Sequence, residues 1–221
     1  MTEAQPPAEM IRAEIISVCR RLYDRNCLAG SDGNVSYRLS DEEILFTPSG
    51  RQKAFIREDD IAVTDLSGKA RAGRPSGEQA MHLHIFRSCP GARAIIHAHP
   101  PHAVAFTLAR PELKELPCDA FSEVILGLGS IPIAPYARPT TTDMGDVLGS
   151  YLPKHRAIIL ARHGAVCWGE TLEEALNGME RVEHASHMLW LAETLGGAKP
   201  LGEAELTALR EMRARMGERL L

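Results

Sequence analysis

Residues 94–101 read Ala94-Ile95-Ile96-His97-Ala98-His99-Pro100-Pro101. An apolar run of this length, closed by two prolines, is a short buried strand, because the residue before a proline is held extended and proline has no N–H to continue a ladder. Side chains two apart on a strand point to the same face, so His97 and His99 can aim both imidazoles at one ion. A second apolar run, Ala157 to Ala161, ends in Arg162-His163-Gly164 and offers a third imidazole. Two strand ends finishing in histidine make a compact site if the strands neighbour each other, and Gly164 is expected to let the backbone turn tightly there. Zinc accepts neutral imidazole nitrogens, and three protein ligands leave a position open for substrate or water. Taken alone, each pattern also fits strand-end histidines tied to backbone carbonyls.

Outward from these runs, helical and extended periodicities mix without strict β-α-β alternation. Residues 9–27 carry Ile11, Ile15, Val18 and Leu22 at amphipathic helical spacing. Residues 34–39 alternate, a turn at Ser40-Asp41-Glu42 leads into residues 43–47, and the pair reads as a β-hairpin. Residues 61–66 read as another strand, and a helix is expected from Glu78 to Ser88. A helix over 102–109 precedes a section rich in proline, cysteine and glycine through Gly129, and residues 131–135 form a short edge strand. Thr142 is expected to cap a helix to about Ser150. Thr171 caps a long helix to about Leu195, with Glu174 completing a capping box, and residues 203–219 form a last charged helix. The expected architecture is a single α/β domain over residues 1–221, with helices on both faces of a largely antiparallel or mixed sheet.

Composition narrows the function classes. The chain has 221 residues, 44% hydrophobic and 24% charged, with a net charge of -4. That balance lacks the basic footprint of nucleic-acid binding, and the short cationic runs are broken by acids, which argues against an anionic membrane partner. No apolar stretch approaches the roughly 20 residues of a spanning helix. Residues 1–7 are polar and lack the form of a signal peptide. Cys19, Cys27, Cys89, Cys118 and Cys167 are scattered, with no Cys-x-x-Cys, and read as reduced thiols in a cytoplasmic protein.

Three segments are rich in glycine and hydroxyl residues: Gly30-Ser31-Asp32-Gly33-Asn34, Thr47-Pro48-Ser49-Gly50 and Pro75-Ser76-Gly77. Each alone is a turn. Together they could turn backbone N–H groups and hydroxyls toward a phosphate, the third at a helix N-terminus whose dipole favours an anion. Glu78 follows directly, either as a first-turn acid complementing the helix dipole or as a carboxylate able to take a proton made acidic by a nearby cation. His82 and His84 lie two apart on a helix, point to different sides and read as structural. His184 and His187 could chelate geometrically but lack a third partner, and His102 lies next to the metal segment.

Taken in order, Gly33-Asn34-Val35-Ser36, Thr47-Pro48-Ser49-Gly50, Arg74-Pro75-Ser76-Gly77-Glu78, His97-Ala98-His99 and His163-Gly164 resemble the class II aldolase/adducin family, in particular its fuculose-phosphate-aldolase type. The resemblance implies an α/β/α fold assembled as a homotetramer, with one zinc ion per subunit held by His97, His99 and His163. Glu78 would be the general base, and Ser31, Asn34, Ser49, Gly50, Ser76 and Gly77 would cradle the substrate phosphate. It further implies reversible cleavage of a ketose phosphate into dihydroxyacetone phosphate and an aldehyde, through a metal-stabilised enediolate. The sequence departs from that type at two tyrosines: Phe121 and Met216 stand at about their places, which leaves no phenol at the aldehyde oxygen, and Glu123 is the nearby titratable residue. Within the family, a sugar-phosphate 4-epimerase and a methylthioribulose-phosphate dehydratase are the alternatives. An adducin-like structural module is disfavoured, because all three histidines and Glu78 are present.

Overall fold

A computed structural model describes residues 6–217, 219 and 220. The strands are β1 (Asn34–Arg38), β2 (Ile44–Phe46), β3 (Ala62–Thr64), β4 (Ala70–Ala72), β5 (Ala94–Ala98), β6 (Ile133–Ala134), β7 (Ala157–Leu160) and β8 (Gly164–Gly169). They form one sheet in the order β4-β3-β2-β1-β5-β8-β7-β6. The pairings are antiparallel except for the parallel pair of β6 with β7. The helices are α1 (Ala8–Asp24), α2 (Gln79–Ser88), α3 (Pro101–Ala109), α4 (Ser122–Leu128), α5 (Asp143–Asp146), α6 (Leu172–Thr194) and α7 (Glu203–Met216).

Side-chain alternation along the strands builds a core on each face of the sheet. Val35, Tyr37, Ile96, Ala98, Ile159 and Cys167 join the cluster formed with α1, α3, α4 and α6. Ile44, Phe46, Ile95, Ile158, Val166 and Trp168 join the other, formed with α2 and α5. This is the α/β/α arrangement expected from the sequence. The same alternation sends Asn34, Ser36 and His97 to the α2 face. No helix among the described residues is long and apolar enough to cross a membrane.

Several local expectations change. The strands that end in His97 and His163 are not neighbours, because β8 lies between β5 and β7. His163 reaches His97 because it sits in the tight β7–β8 connection, and β8 then pairs with β5, Ala165 opposite Ala98. Gly164 does not supply the turn; the positive φ, 61°, belongs to Arg162, whose N–H donates to Thr107 Oγ1 at 2.8 Å. Gly164 is needed for space instead. A Cβ there would overlap the Ala98 carbonyl oxygen and come within 2.8 Å of His99 Cδ2.

The fully apolar β8 was not anticipated, since a strand buried on both faces loses the alternation that marks it. The exposed β4 carries no apolar pattern, and α4 forms within the glycine-rich section by packing against α6 and α7. Thr142 makes no side-chain cap, and α5 stops at Asp146, with Gly145 and Gly149 weakening a longer helix. Thr171 Oγ1 accepts the Glu174 N–H at 3.0 Å, but the Glu174 carboxylate reaches past the cap to the Glu170 N–H at 2.7 Å and to Arg156 at 2.7 Å. The last helix ends at Met216, and Gly217 follows with φ 82°. Residues 1–5 of the polar N-terminus and Glu218 of the expected last helix lie outside the described residues.

The packing at Gly164 is open to test. Gly164→Ala should cost about 1–3 kcal/mol in urea unfolding, from overpacking between β5 and β8. An unchanged midpoint would show that the strands do not approach so closely.

Candidate metal centre and substrate site

His97 is fully buried on β5, opposite Asn34 of β1 on one side and Val166 of β8 on the other. Its Nδ1 lies 2.9 Å from the Ala165 carbonyl oxygen. A carbonyl only accepts, so Nδ1 carries the proton and donates, which leaves the Nε2 lone pair free in the neutral ring. His99, just past the end of β5, brings its Nε2 to 3.2 Å from His97 Nε2. The ring centroids of His97, His99 and His163 are 4.8 to 5.0 Å apart, with interplanar angles of 62 to 66°. One ligating atom from each lies within 4.8 Å of the others.

Glu78 closes the group from the N-terminus of α2. Its Oε2 is 3.3 Å from His97 Nε2, and its Oε1 is 3.4 Å from His163 Nε2. Asn34 Nδ2 donates to Glu78 Oε2 at 2.8 Å, and the Glu78 N–H donates to Ser76 Oγ at 3.3 Å. Asp32 stands behind His99, 3.5 Å from its Nδ1.

The electrostatics suit a cation. Burial, and then the neighbouring His97, push His99 down to about 3 and His163 down to about 4, so both rings are neutral near pH 7. Burial works against the charge on Glu78, but the closeness of His97 and His163 and the hydrogen bond from Asn34 outweigh it and hold the carboxyl below its usual range. Neutral nitrogens with converging lone pairs repel one another unless a positive ion lies between them. Three imidazoles with an adjoining carboxylate match the donors and open position of a catalytic zinc site.

The three glycine- and hydroxyl-rich segments are drawn together beside Glu78. The Ser49 N–H donates to the Arg74 carbonyl at 3.0 Å, the Ser76 N–H donates to the Thr47 carbonyl at 3.1 Å, and Pro48 bridges to Pro75. Gly50 and Gly33 take φ values of 70° and 68°, and Gly77 lies exposed just before Glu78. The buried Lys53 donates to the Ser31 and Arg51 carbonyls, which ties the first segment to the second. Asn34 is buried, and its amide N–H is directed at Glu78.

Two residues of this site were not singled out from the sequence. Asp32 lay inside a quoted loop, where an acid among glycines reads as a turn former. Lys53 gave no signal, because a lysine in a polar run reads as solvated.

His82, His84, His102 and His184 lie outside the cluster of three. His82 is fully buried one helical turn after Glu78, with Nδ1 2.6 Å from Ser36 Oγ, and burial followed by the nearby His97 pushes it down to about 3. His84 packs against Gly145. His102 is held by Glu183, with Nδ1 2.5 Å from Oε1, and stacks on His187 with centroids 4.2 Å apart. His184 lines a groove beside them. Phe121 is the residue before α4, Met216 ends α7, and Glu123 is exposed on α4.

Known proteins resemble this chain in sequence and fold. The family described as Class II Aldolase and Adducin N-terminal domain matches residues 13–190. A 3-oxo-tetronate 4-phosphate decarboxylase from Pectobacterium atrosepticum is 30% identical over 86% of this chain and 88% of its own length. An L-fuculose phosphate aldolase from Methanococcus vannielii is 34% identical over 79% of this chain and 93% of its own. The crystal structure of YgbL from Escherichia coli superposes with a TM-score of 0.85 at 26% identity, covering 92% of this chain and 99% of that one. With the family match spanning most of its length, the chain belongs to the class II aldolase and adducin N-terminal domain family.

Proposed function

We propose that this chain is a zinc-dependent carbon–carbon lyase acting on a phosphorylated hydroxyketone. The observation that carries the reading is the convergence of His97, His99 and His163 with both oxygens of Glu78 turned to the cluster. A divalent cation there would supply Lewis-acid stabilisation of the negative charge that develops on the ketone oxygen when the adjacent bond breaks. Zinc fits the donor set, and manganese or cobalt could replace it.

The chain's own groups do the rest. His97, oriented through Nδ1 by the Ala165 carbonyl, keeps its Nε2 aimed at the site. Glu78 is held ionised and steered by Asn34, so it can carry a proton to or from the carbon that becomes the nucleophile in the enediolate. Ser31, Ser49, Gly50, Ser76 and Gly77, with Asn34 at their inner edge, form the phosphate cradle in this reading. Among the described residues, their neighbourhood holds the cationic Lys53, Arg51 and Arg74.

Aldol cleavage into dihydroxyacetone phosphate and an aldehyde is one form of this chemistry, supported by the fuculose phosphate aldolase relative. Decarboxylation is the second, and one observation favours it. Phe121 and Met216 stand at about the places where the fuculose type carries tyrosines. Aldol cleavage must move a proton at the aldehyde oxygen, whereas carbon dioxide departs with no proton on either oxygen. In a 3-oxo acid phosphate, the bond between the carboxylate and the next carbon breaks, its electron pair enters the enediolate, and one proton then adds to that carbon. The decarboxylase relative acts on a substrate of that class by its name. A cytoplasmic location and a homotetramer complete the proposal, by likeness to the family.

His97→Ala should lose stoichiometric zinc by elemental analysis together with all cleavage, and chelation of the wild-type protein should abolish activity until zinc is restored. Glu78→Gln should keep its zinc while solvent-hydrogen exchange at the product carbon falls by about 10²–10⁴-fold; full exchange would remove Glu78 as the base. Offered a ketose 1-phosphate and a 3-oxo acid 4-phosphate side by side, the enzyme should release carbon dioxide from the second faster than aldehyde from the first. Faster aldehyde release would favour the aldolase, and equal turnover of unphosphorylated analogues would discredit the cradle.

A further inference from the structure

We propose that Lys53 is a specificity-determining residue of this site: it clamps the Ser31 loop to the Arg51 loop and sets a buried positive charge at the phosphate end of the substrate. The inference rests on the lyase reading only for the identity of the substrate, since an anion as such would meet the same residue.

Lys53 opens a short 3-10 turn packed against α1 and is 3% exposed. Its Nζ donates to the Ser31 carbonyl at 2.7 Å and to the Arg51 carbonyl at 2.9 Å. Those carbonyls belong to separate loops, one leading to Asn34 and the other leaving Ser49-Gly50. The ammonium therefore fixes the distance between two walls of the cradle.

A clamp alone does not need a charge, and a buried ammonium is unfavourable without a counter-ion. Both hydrogen bonds go to neutral carbonyls, and among the described residues no carboxylate stands within ion-pair distance of Nζ. An ammonium has three N–H donors, so one remains beyond the two carbonyls. Burial pulls Lys53 toward neutrality, while Cys19, Asp32 and Glu78 oppose it, which puts both carboxylates within electrostatic reach of the amine. A phosphate against Ser49 and Gly50 would supply the counter-charge that the folded chain leaves out. Arg51, exposed at the rim, is engaged with Asp60 at 3.3 Å, so Lys53 is the cation built into the floor.

The test uses the zinc-loaded protein, its Lys53→Met and Lys53→Arg variants, and inorganic phosphate as the probe. Lys53→Met should keep its zinc and bind phosphate about tenfold or more weakly by calorimetry, the size expected for a charge-assisted contact. Its KM for the phosphorylated substrate should rise by a similar factor while kcat falls less, and Lys53→Arg should recover part of the binding. A purely structural clamp would lower the unfolding midpoint and kcat and leave phosphate affinity unchanged; a folded Lys53→Met variant with wild-type phosphate affinity overturns the proposal. If the variant does not fold, ¹⁵N-lysine labelling of the wild-type protein gives the answer: the Lys53 Nζ resonance should move on adding phosphate, and a stationary signal overturns it. Weakened phosphate binding in a protein that cleaves no carbon–carbon bond would sink the lyase reading and leave this one standing. Cleavage with unaltered phosphate binding would do the reverse.

Discussion

Three imidazole nitrogens and a carboxylate crowd into a space a few ångströms across, an arrangement suited to a positive charge between them. The Nε2 atoms of His97 and His99 lie 3.2 Å apart, while burial keeps His99 and His163 from taking up protons near neutrality. Unless one ring donates an N–H to the other, two neutral lone pairs at that distance repel. A second proton on one of these rings is opposed by desolvation inside the protein. The surrounding architecture holds this cluster against its own repulsion. The Ala165 carbonyl orients His97, Asp32 stands behind His99, and the β7–β8 turn, with Arg162 in a left-handed conformation, delivers His163.

The sheet order explains why these residues meet. β5 lies between β1 and β8, so the central strand presents His97 between Asn34 and Val166. Asn34 then reaches Glu78 at the head of α2, and Ser36 reaches His82 one helical turn later. One face of the two adjacent strands β1 and β5 thus carries His97, the residue that hydrogen-bonds the Glu78 carboxylate, and the contact that anchors the helix Glu78 precedes. The histidine cluster and Glu78 are one packed unit, which accounts for the burial of so many polar groups on that side of the sheet.

The parts of the chemistry differ in how completely this chain supplies them. The groups that would create and protonate an enediolate are together: His97, His99, His163, Glu78 and Asn34. At about the places of the fuculose type's two tyrosines, Phe121 and Met216 offer no titratable oxygen. Relatives that share the fold include both an aldolase and a decarboxylase. The two reactions share their electron sink and diverge in the leaving group, so a common metal-binding frame can serve either.

Much of the site was legible in the chain because it depends on short-range geometry. The period of two in a strand placed His97 and His99 on one side, and the Pro75-Ser76-Gly77 segment before Glu78 marked a helix start. The hairpin of β1 and β2 followed from alternation and a polar turn. What stayed hidden depends on which distant segments touch. Nothing in the local pattern of residues 164–169 showed that they would intervene between β5 and β7, because a strand buried on both faces reads only as apolar. The need for Gly164 came from a carbonyl of another strand, and the burial of Lys53 from two loops closing over an otherwise ordinary lysine. The amino-acid order by itself determined the ligand types, their faces and the α/β character, since these follow from backbone periodicity and side-chain chemistry. The tertiary structure alone decided the strand order, the partners of Glu78 and the charge beneath the loops, since those arise from packing between residues far apart in the chain.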